Sequence, residues 1–234
     1  MKLAVISDLH IPAAEAPGSF GHEDGEFLRF LRFLETSFEH IVLLGDIWET
    51  LTGRAPGKSE QQLRVARESH PELAARFSTP RYSYIHGNHD QVAGDTQRAA
   101  ESLMVEADGV RILFAHGHQQ DALVQRAKFV SETGVWLGGW LRRLGLSSLY
   151  QLSERMDQLC AGLTGGGSRA VRQWAASVAQ VYEADVVVTG HTHRAERMEC
   201  GGRLLLNSGA CNQGRYSFLS LDTGNGSYTL HDSW

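Results

Sequence analysis

The chain has 234 residues, 42% of them hydrophobic and 21% charged, with a formal net charge of −5 at pH 7. That length and balance suit a soluble globular chain with one sizeable core, and the negative charge argues against nucleic acid, which selects a basic face. Three cysteines without CxxC spacing argue against a disulfide framework or a zinc knuckle, no run reaches the ~18 apolar residues of a membrane span, and Asp8 ends the first apolar run too early for a signal peptide.

Lys2 to Ser7 reads as a buried strand, ending on Asp8 and His10 two residues apart. Ile11 to Gly25, rich in Ala, Pro and Gly, reads as a loop. Glu26 to Glu39 carries Phe27, Phe30, Leu31 and Leu34 at helical spacing. Ile41 to Leu44 is a second buried strand, and Gly45 permits a sharp turn into Asp46. Trp48 and Glu49 follow and are expected to wall the site. Ser59 to Phe77 is helical with a break at Pro71. Arg81 to His86 is a third strand, ending in Gly87-Asn88-His89-Asp90, and Gln97 to Ser102 reads as a short helix. Leu103 to Glu106 and Val110 to Ala115 form a hairpin through Ala107-Asp108-Gly109, and its second strand ends in His116-Gly117-His118.

From Asp121 to about Ala184 the pattern is helical, with a glycine break at Gly165-Gly166-Gly167. This exceeds a crossover helix and reads as an insertion. Its apolar middle, residues 136–146, holds Arg142 and Arg143. That stretch suits helices packing on each other or on a second copy, or else a lipid-accepting lid that leans on a membrane surface. Val187 to Thr189 is a further strand, turned by Gly190 into His191-Thr192-His193. Positions i and i+2 of extended chain point the same way, so these two imidazoles are expected to face one cation or a close pair. Arg203 to Leu206, Tyr216 to Leu221 and Ser227 to Leu230 alternate, and are expected to form the antiparallel end of a second sheet.

Seven of the eleven histidines lie in these strand-end motifs. The candidate ligands are Asp8, His10, Asp46, Asn88, His116, His191 and His193: oxygen and nitrogen donors with no thiolate. That set suits two cations of the Mn, Fe, Zn or Co kind rather than a closed structural zinc site. A carboxylate such as Asp46 can bridge two cations, and such a pair lowers the pKa of a water towards neutrality. His89 is then placed to protonate a leaving oxygen. His86 reads as a core histidine and His118 as a neighbour of the ligands. Arg194 reads either as a phosphate contact or as a plain exposed arginine.

Asp8-x-His10, Gly45-Asp46, Gly87-Asn88-His89-Asp90, His116-Gly117-His118 and Gly190-His191-Thr192-His193, in this order, resemble the calcineurin-like metallophosphoesterase superfamily. The resemblance implies an α+β fold, a four-layer αββα sandwich in a single domain 1–234 with a helical insertion at about 121–184. It implies one metal held by Asp8, His10, Asp46 and His193 and another by Asp46, Asn88, His116 and His191, with His89 beside the leaving group and Asp90 orienting it. Leu206-Asn207-Ser208-Gly209 resembles the family's closing turn, with Ser208 in place of proline. Gly45-Asp46-Ile47-Trp48-Glu49 and the insertion resemble the UDP-2,3-diacylglucosamine pyrophosphatase branch, which cleaves a nucleotide-lipid pyrophosphate.

The implied cofactor is two divalent ions, manganese first, with iron, zinc, cobalt or nickel as alternatives. The implied substrate is a phosphorylated small molecule or a nucleotide-lipid, acted on in the cytoplasm, with peripheral contact to the inner membrane through 136–146. A general or cyclic-nucleotide phosphodiesterase is the alternative enzyme, and a scaffold on the same fold is the alternative without chemistry. Oligomeric state is left open.

Overall fold

Period-two alternation sorts the strand side chains onto two faces. In β1 (Lys2–Ile6) and β2 (His40–Leu44), Leu3, Val5, Val42 and Leu44 face one way, while Ala4, Ile6, Ile41 and Leu43 face the other. The structure is a computed structural model, and it describes residues 1–14, 16, 18–53, 57–120 and 166–234. Residues 136–146, where a lid or membrane contact is expected, lie outside the described residues, as does most of the insertion.

Two five-stranded sheets form. The first runs β10 (Ser227–His231), β9 (Phe218–Asp222), β1, β2, β3 (Tyr82–Ile85). The second runs β4 (Ser102–Ala107), β5 (Val110–Ala115), β6 (Val186–Thr189), β8 (Arg203–Ser208), β7 (Ala195–Cys200). Leu3, Val5, Val42 and Leu44 meet Ile112, Phe114, Val186, Val188, Leu204 and Leu206 in a core between the sheets. The opposite faces are covered separately. Helices α1 (Asp24–Ser37), α2 (Ser59–Ser69) and α3 (Pro71–Phe77) pack on the first sheet. Helix α5 (Gly166–Val181), which follows the short α4 (Val92–Gln97) in chain order, covers Leu113, Val187 and Leu205 of the second. The result is the expected αββα stack. Phe27, Phe30, Leu31 and Leu34 of α1 are buried at i, i+3, i+4, i+7, each such side chain contributing roughly 1.5–3 kcal/mol.

β1, β2 and β3 are parallel, and so are β5, β6 and β8. Their C-terminal ends therefore collect at one edge of each sheet, which is where the polar motifs begin.

Several local expectations are corrected. The short helix spans Val92–Gln97, not Gln97 to Ser102: Arg98 closes it in the left-handed region, φ 56°, and Ala100 then bridges to Ile85 before β4 starts. Two of the three last strands belong elsewhere. β9 pairs antiparallel with β1 and β10 with β9, so both extend the first sheet. Only β8 joins the second, parallel to β6 and antiparallel to β7, a strand with mostly exposed residues and no apolar period. Gly166 and Gly167 open α5 rather than interrupt it. The hairpin turn is as expected, with Asp108 and Gly109 at φ 54° and 78°, the type I′ pattern.

Candidate metal centre

Beyond Ile6 the chain stops being extended. Asp8, His10, Asp46, His191 and His193 all have positive φ, between 50° and 68°. This conformation costs an L-residue roughly 1–2 kcal/mol, and such strain concentrates where a site needs particular side-chain directions. Backbone bonds hold it: Asp8 N–H donates to Gly45 O at 3.0 Å and His10 N–H to Asp46 O at 2.9 Å, carrying the β1–β2 pairing past the strand ends. The expectation of an extended His191-Thr192-His193 is thus corrected. The two imidazoles diverge, His193 towards Asp8 and His191 towards Asp46 and His116.

Three clusters of ligand atoms result among the described residues, one of them formed by His10, Glu49 and His89. Ligand atoms of Asp8, His10 and His193 lie within 4.8 Å of one another, and so do those of Asp46, His116 and His191. Asp46 joins these two: its Oδ2 is 3.9 Å from His10 Nε2 and 3.3 Å from His116 Nε2. Asn88 sits on the adjoining turn, where the His89 N–H donates to Asp46 Oδ1 at 2.8 Å.

The donor set fits divalent cations. Asp8 Oδ1, Asn88 Oδ1 and His116 Nε2 are buried atoms without a hydrogen-bond partner, a costly arrangement unless a ligand completes it. Asp8, Asp46 and Glu49 are at most 5% exposed, and among the described residues their ionic partners are all histidines. Burial alone would raise both aspartyl carboxyls. His193 and His116 instead hold Asp8 below its usual range, and His116 and His89 hold Asp46 well below. Burial opposes charge on His116, yet Asp46 and Asp8 raise it to about 9. Burial and the neighbouring His116 lower His191 to about 4. The carboxylates therefore favour positive charge at the point where the clusters meet, the role that metal ions fill with neutral imidazoles as ligands.

Neighbouring backbone must come very close to these groups. A methyl group at Gly45 would overlap the His116 ring, and one at Gly87 would overlap the Asp46 carboxylate. At Gly190 it would lie 2.8 Å from Asp8 Oδ2. Ser7 ties the two sheets together beneath the ligands, and Asn207 ties the end of β8 to the turn after β6 within the second sheet. The Ser7 hydroxyl is within 2.6 Å of Asp8 Oδ2 and 2.8 Å of Ser208 Oγ. Asn207 Nδ2 donates to Gly190 O at 2.6 Å, and its Oδ1 accepts from Gly209 N–H. Ser7 went unassigned from sequence, although a hydroxyl ending a buried apolar strand needs a partner.

His89 also has a fixed setting. Its Nδ1 is 2.9 Å from Glu49 Oε2, an oxygen that also lies 3.4 Å from His10 Nδ1. Burial would lower the His89 pKa, but Glu49 and Asp46 raise it to about 10. Glu49, expected on the wall, is thus the residue that orients His89. Asp90, expected in that role, instead accepts the N–H groups of Asp46, Ile47, Trp48 and Gly87 and the Tyr84 hydroxyl, at 2.5–3.3 Å. It locks the Asp46 loop onto the Asn88 turn. Trp48 is corrected as well: 1% exposed, its ring packs near Phe77 in the helix-side core. His118 is buried and lowered to about 3 by burial and the nearby His116. His86 is buried at the edge of the cluster, its ring centre 6.0 Å from that of His118. Arg194 is exposed next to His193.

A family model described as calcineurin-like phosphoesterase matches residues 1–195. The UDP-2,3-diacylglucosamine hydrolase of Sodalis glossinidius is 28% identical over 213 residues, covering 83% of each chain. The protein of the same name from Ralstonia nicotianae is 28% identical over 254 residues, covering 94% of this chain and 88% of its own. Among solved structures, vacuolar protein sorting 29 from Cryptosporidium parvum has a TM-score of 0.49 at 16% identity, covering 98% of this chain and 96% of its own.

Proposed function

The chain belongs to the calcineurin-like phosphoesterase family and is a metal-dependent phosphohydrolase, and on that premise we propose that it cleaves a phosphoester or pyrophosphate bond at a two-metal centre. In this reading Asp8, His10, Asp46 and His193 hold one ion, and Asp46, Asn88, His116 and His191 hold the other. The observation that carries it is the Asp46 carboxylate lying between His10 and His116, with buried ligand atoms of Asp8, Asn88 and His116 around it that lack a hydrogen-bond partner. Bound there, two cations would bring a water pKa towards neutrality and draw charge from the phosphoryl oxygens.

The chain's own residues supply the rest. Glu49 accepts the Nδ1 hydrogen of His89, which leaves Nε2 to carry a proton to the leaving oxygen. Against the opposing effect of burial, the Glu49 carboxylate favours the protonated ring. Asp90 holds the two loops together without meeting substrate. Arg194, exposed beside His193, is the candidate for a contact with a phosphate oxygen.

The substrate class to test first is a UDP-linked diacyl sugar, supported by the names of the relatives that align along most of this chain. Manganese is the first metal to supply, since a set of oxygen and imidazole donors without thiolate suits it. Among the described residues no helix is long and apolar enough to cross a membrane. A cytoplasmic location, with residues 136–146 packing on other helices or a second copy or else meeting the inner membrane, is part of the proposal. A screen of the manganese-loaded protein against monoesters, diesters, UDP-sugars and acylated UDP-sugars tests the reading. Turnover confined to diesters or cyclic nucleotides would replace the pyrophosphatase with a phosphodiesterase, and no turnover of any class would remove the enzyme.

A further inference from the structure

A cavity of about 460 Å³ opens beside the metal centre, among the residues after Asp46, the first turn of α2, and α4. Thr50, Glu60, His86, Asn88, Gln91 and Asp95 are among its lining. Its volume falls within the roughly 300–1,000 Å³ of small-molecule sites. It adjoins the centre at two points. Asn88 belongs to both, and the His86 ring lies 6.0 Å from that of His118, which is 5.6 Å from that of His116.

The chemistry of the lining narrows the occupant. Two carboxylates, a threonine hydroxyl and a glutamine amide face it, and no Lys or Arg lines it among the described residues. An anion would meet like charge there. Nor do these carboxylates mark a metal site: among the described residues, neither Glu60 nor Asp95 belongs to a cluster of converging ligand atoms. Ionised carboxylates only accept hydrogen bonds, and a hydroxyl is their natural uncharged donor.

We propose that this cavity holds the uncharged, hydroxyl-bearing part of the substrate, with Glu60 and Asp95 accepting from neighbouring hydroxyls of a sugar ring or a ribose while the phosphoryl group sits at the metal centre. The proposal rests on the phosphohydrolase reading above and adds to it the part of the substrate that sets specificity.

Saturation-transfer NMR on the zinc-loaded, diamagnetic protein, with uridine and N-acetylglucosamine each added alone, tests this and separates the two sources of hydroxyls. At least one compound should give a signal, and Glu60→Gln/Asp95→Asn should weaken its binding about tenfold or more, the loss expected from a hydrogen bond to a charged group. Both side chains are exposed, so the variant should fold, and circular-dichroism melting of the double and both single variants checks it. No signal from either compound, or equal affinity in a folded double variant, overturns the proposal. Hydrolysis of bis(4-nitrophenyl) phosphate by the wild-type protein reads the hydrolase assignment separately. Its absence beside intact, carboxylate-dependent binding would remove the hydrolase and leave the cavity assignment standing.

Discussion

His116, at the end of β5 in one sheet, donates its Nδ1 hydrogen to the carbonyl oxygen of Leu44 in the other, 2.8 Å away. That bond fixes the ring's orientation and turns Nε2 towards Asp46 and Asp8. His116→Ala should therefore reduce bound metal from two ions to about one per chain and abolish turnover. Elemental analysis of the purified variant decides it, and two retained ions would show that His116 is not a ligand.

In the proposed two-metal reading Asp46 is the ligand that the two ions share, its Oδ2 lying 3.9 Å from His10 Nε2 and 3.3 Å from His116 Nε2, so Asp46→Ala should lose both ions. The same variant tests the link between metal and stability. Ligand at 100 times its dissociation constant stabilises a fold by about 2.7 kcal/mol, which corresponds to a rise in Tm of roughly 5–10 °C for a chain of this size. Manganese titrated into the wild type should raise the melting temperature by that order, and Asp46→Ala should not respond. A response of equal size in the variant would place the stabilising ion elsewhere.

The Glu49–His89 pair predicts a different pattern. His89→Ala should lower kcat by about 10²–10⁴-fold while metal content stays at the wild-type level. Glu49→Gln should lower kcat by roughly 10–100-fold, since it supports a group it does not replace. The double variant should be little worse than His89→Ala, because the two act as a unit. If the separate losses multiply in the double variant, Glu49 works through something other than His89.

Two glycines give opposite outcomes under the same substitution. Gly25, in the first turn of α1, has nothing within 4 Å of an added Cβ, and Gly25→Ala should stabilise by about 0.4–1 kcal/mol. Gly87→Ala would press on Asp46 and should cost metal binding and stability together. Parallel thermal melts with and without manganese distinguish them, and a Gly87→Ala protein with wild-type metal content would contradict the close approach of that turn to the carboxylate.

Much of the site was legible in the sequence, because strand ends advertise themselves: an apolar run stops, and Asp, Asn or His follows. Parallel pairing then brings those ends to one edge with no further information. What stayed hidden depended on pairing across the chain or on backbone direction. The alternation in 218–222 and 227–231 says strand but does not say that β1 is the neighbour. β7 carries polar residues on both faces and offers no period to find. Glu49 rather than Asp90 meets the His89 ring, and the sequence does not show it because each lies three residues or fewer from a motif histidine or aspartate, so only the fold decides which carboxylate meets a ring and which meets amide hydrogens. The divergence of His191 and His193 required the turn to leave the β region, which composition does not announce.

That turn geometry has an evolutionary corollary. Left-handed backbone at positions 8, 10, 46, 191 and 193 admits asparagine and glycine readily but resists β-branched side chains. A descendant that abandoned catalysis could shed its donors for those two residues without rebuilding a single loop. Retired copies of this scaffold should therefore carry a fossil of asparagines and glycines where the acids and imidazoles once stood.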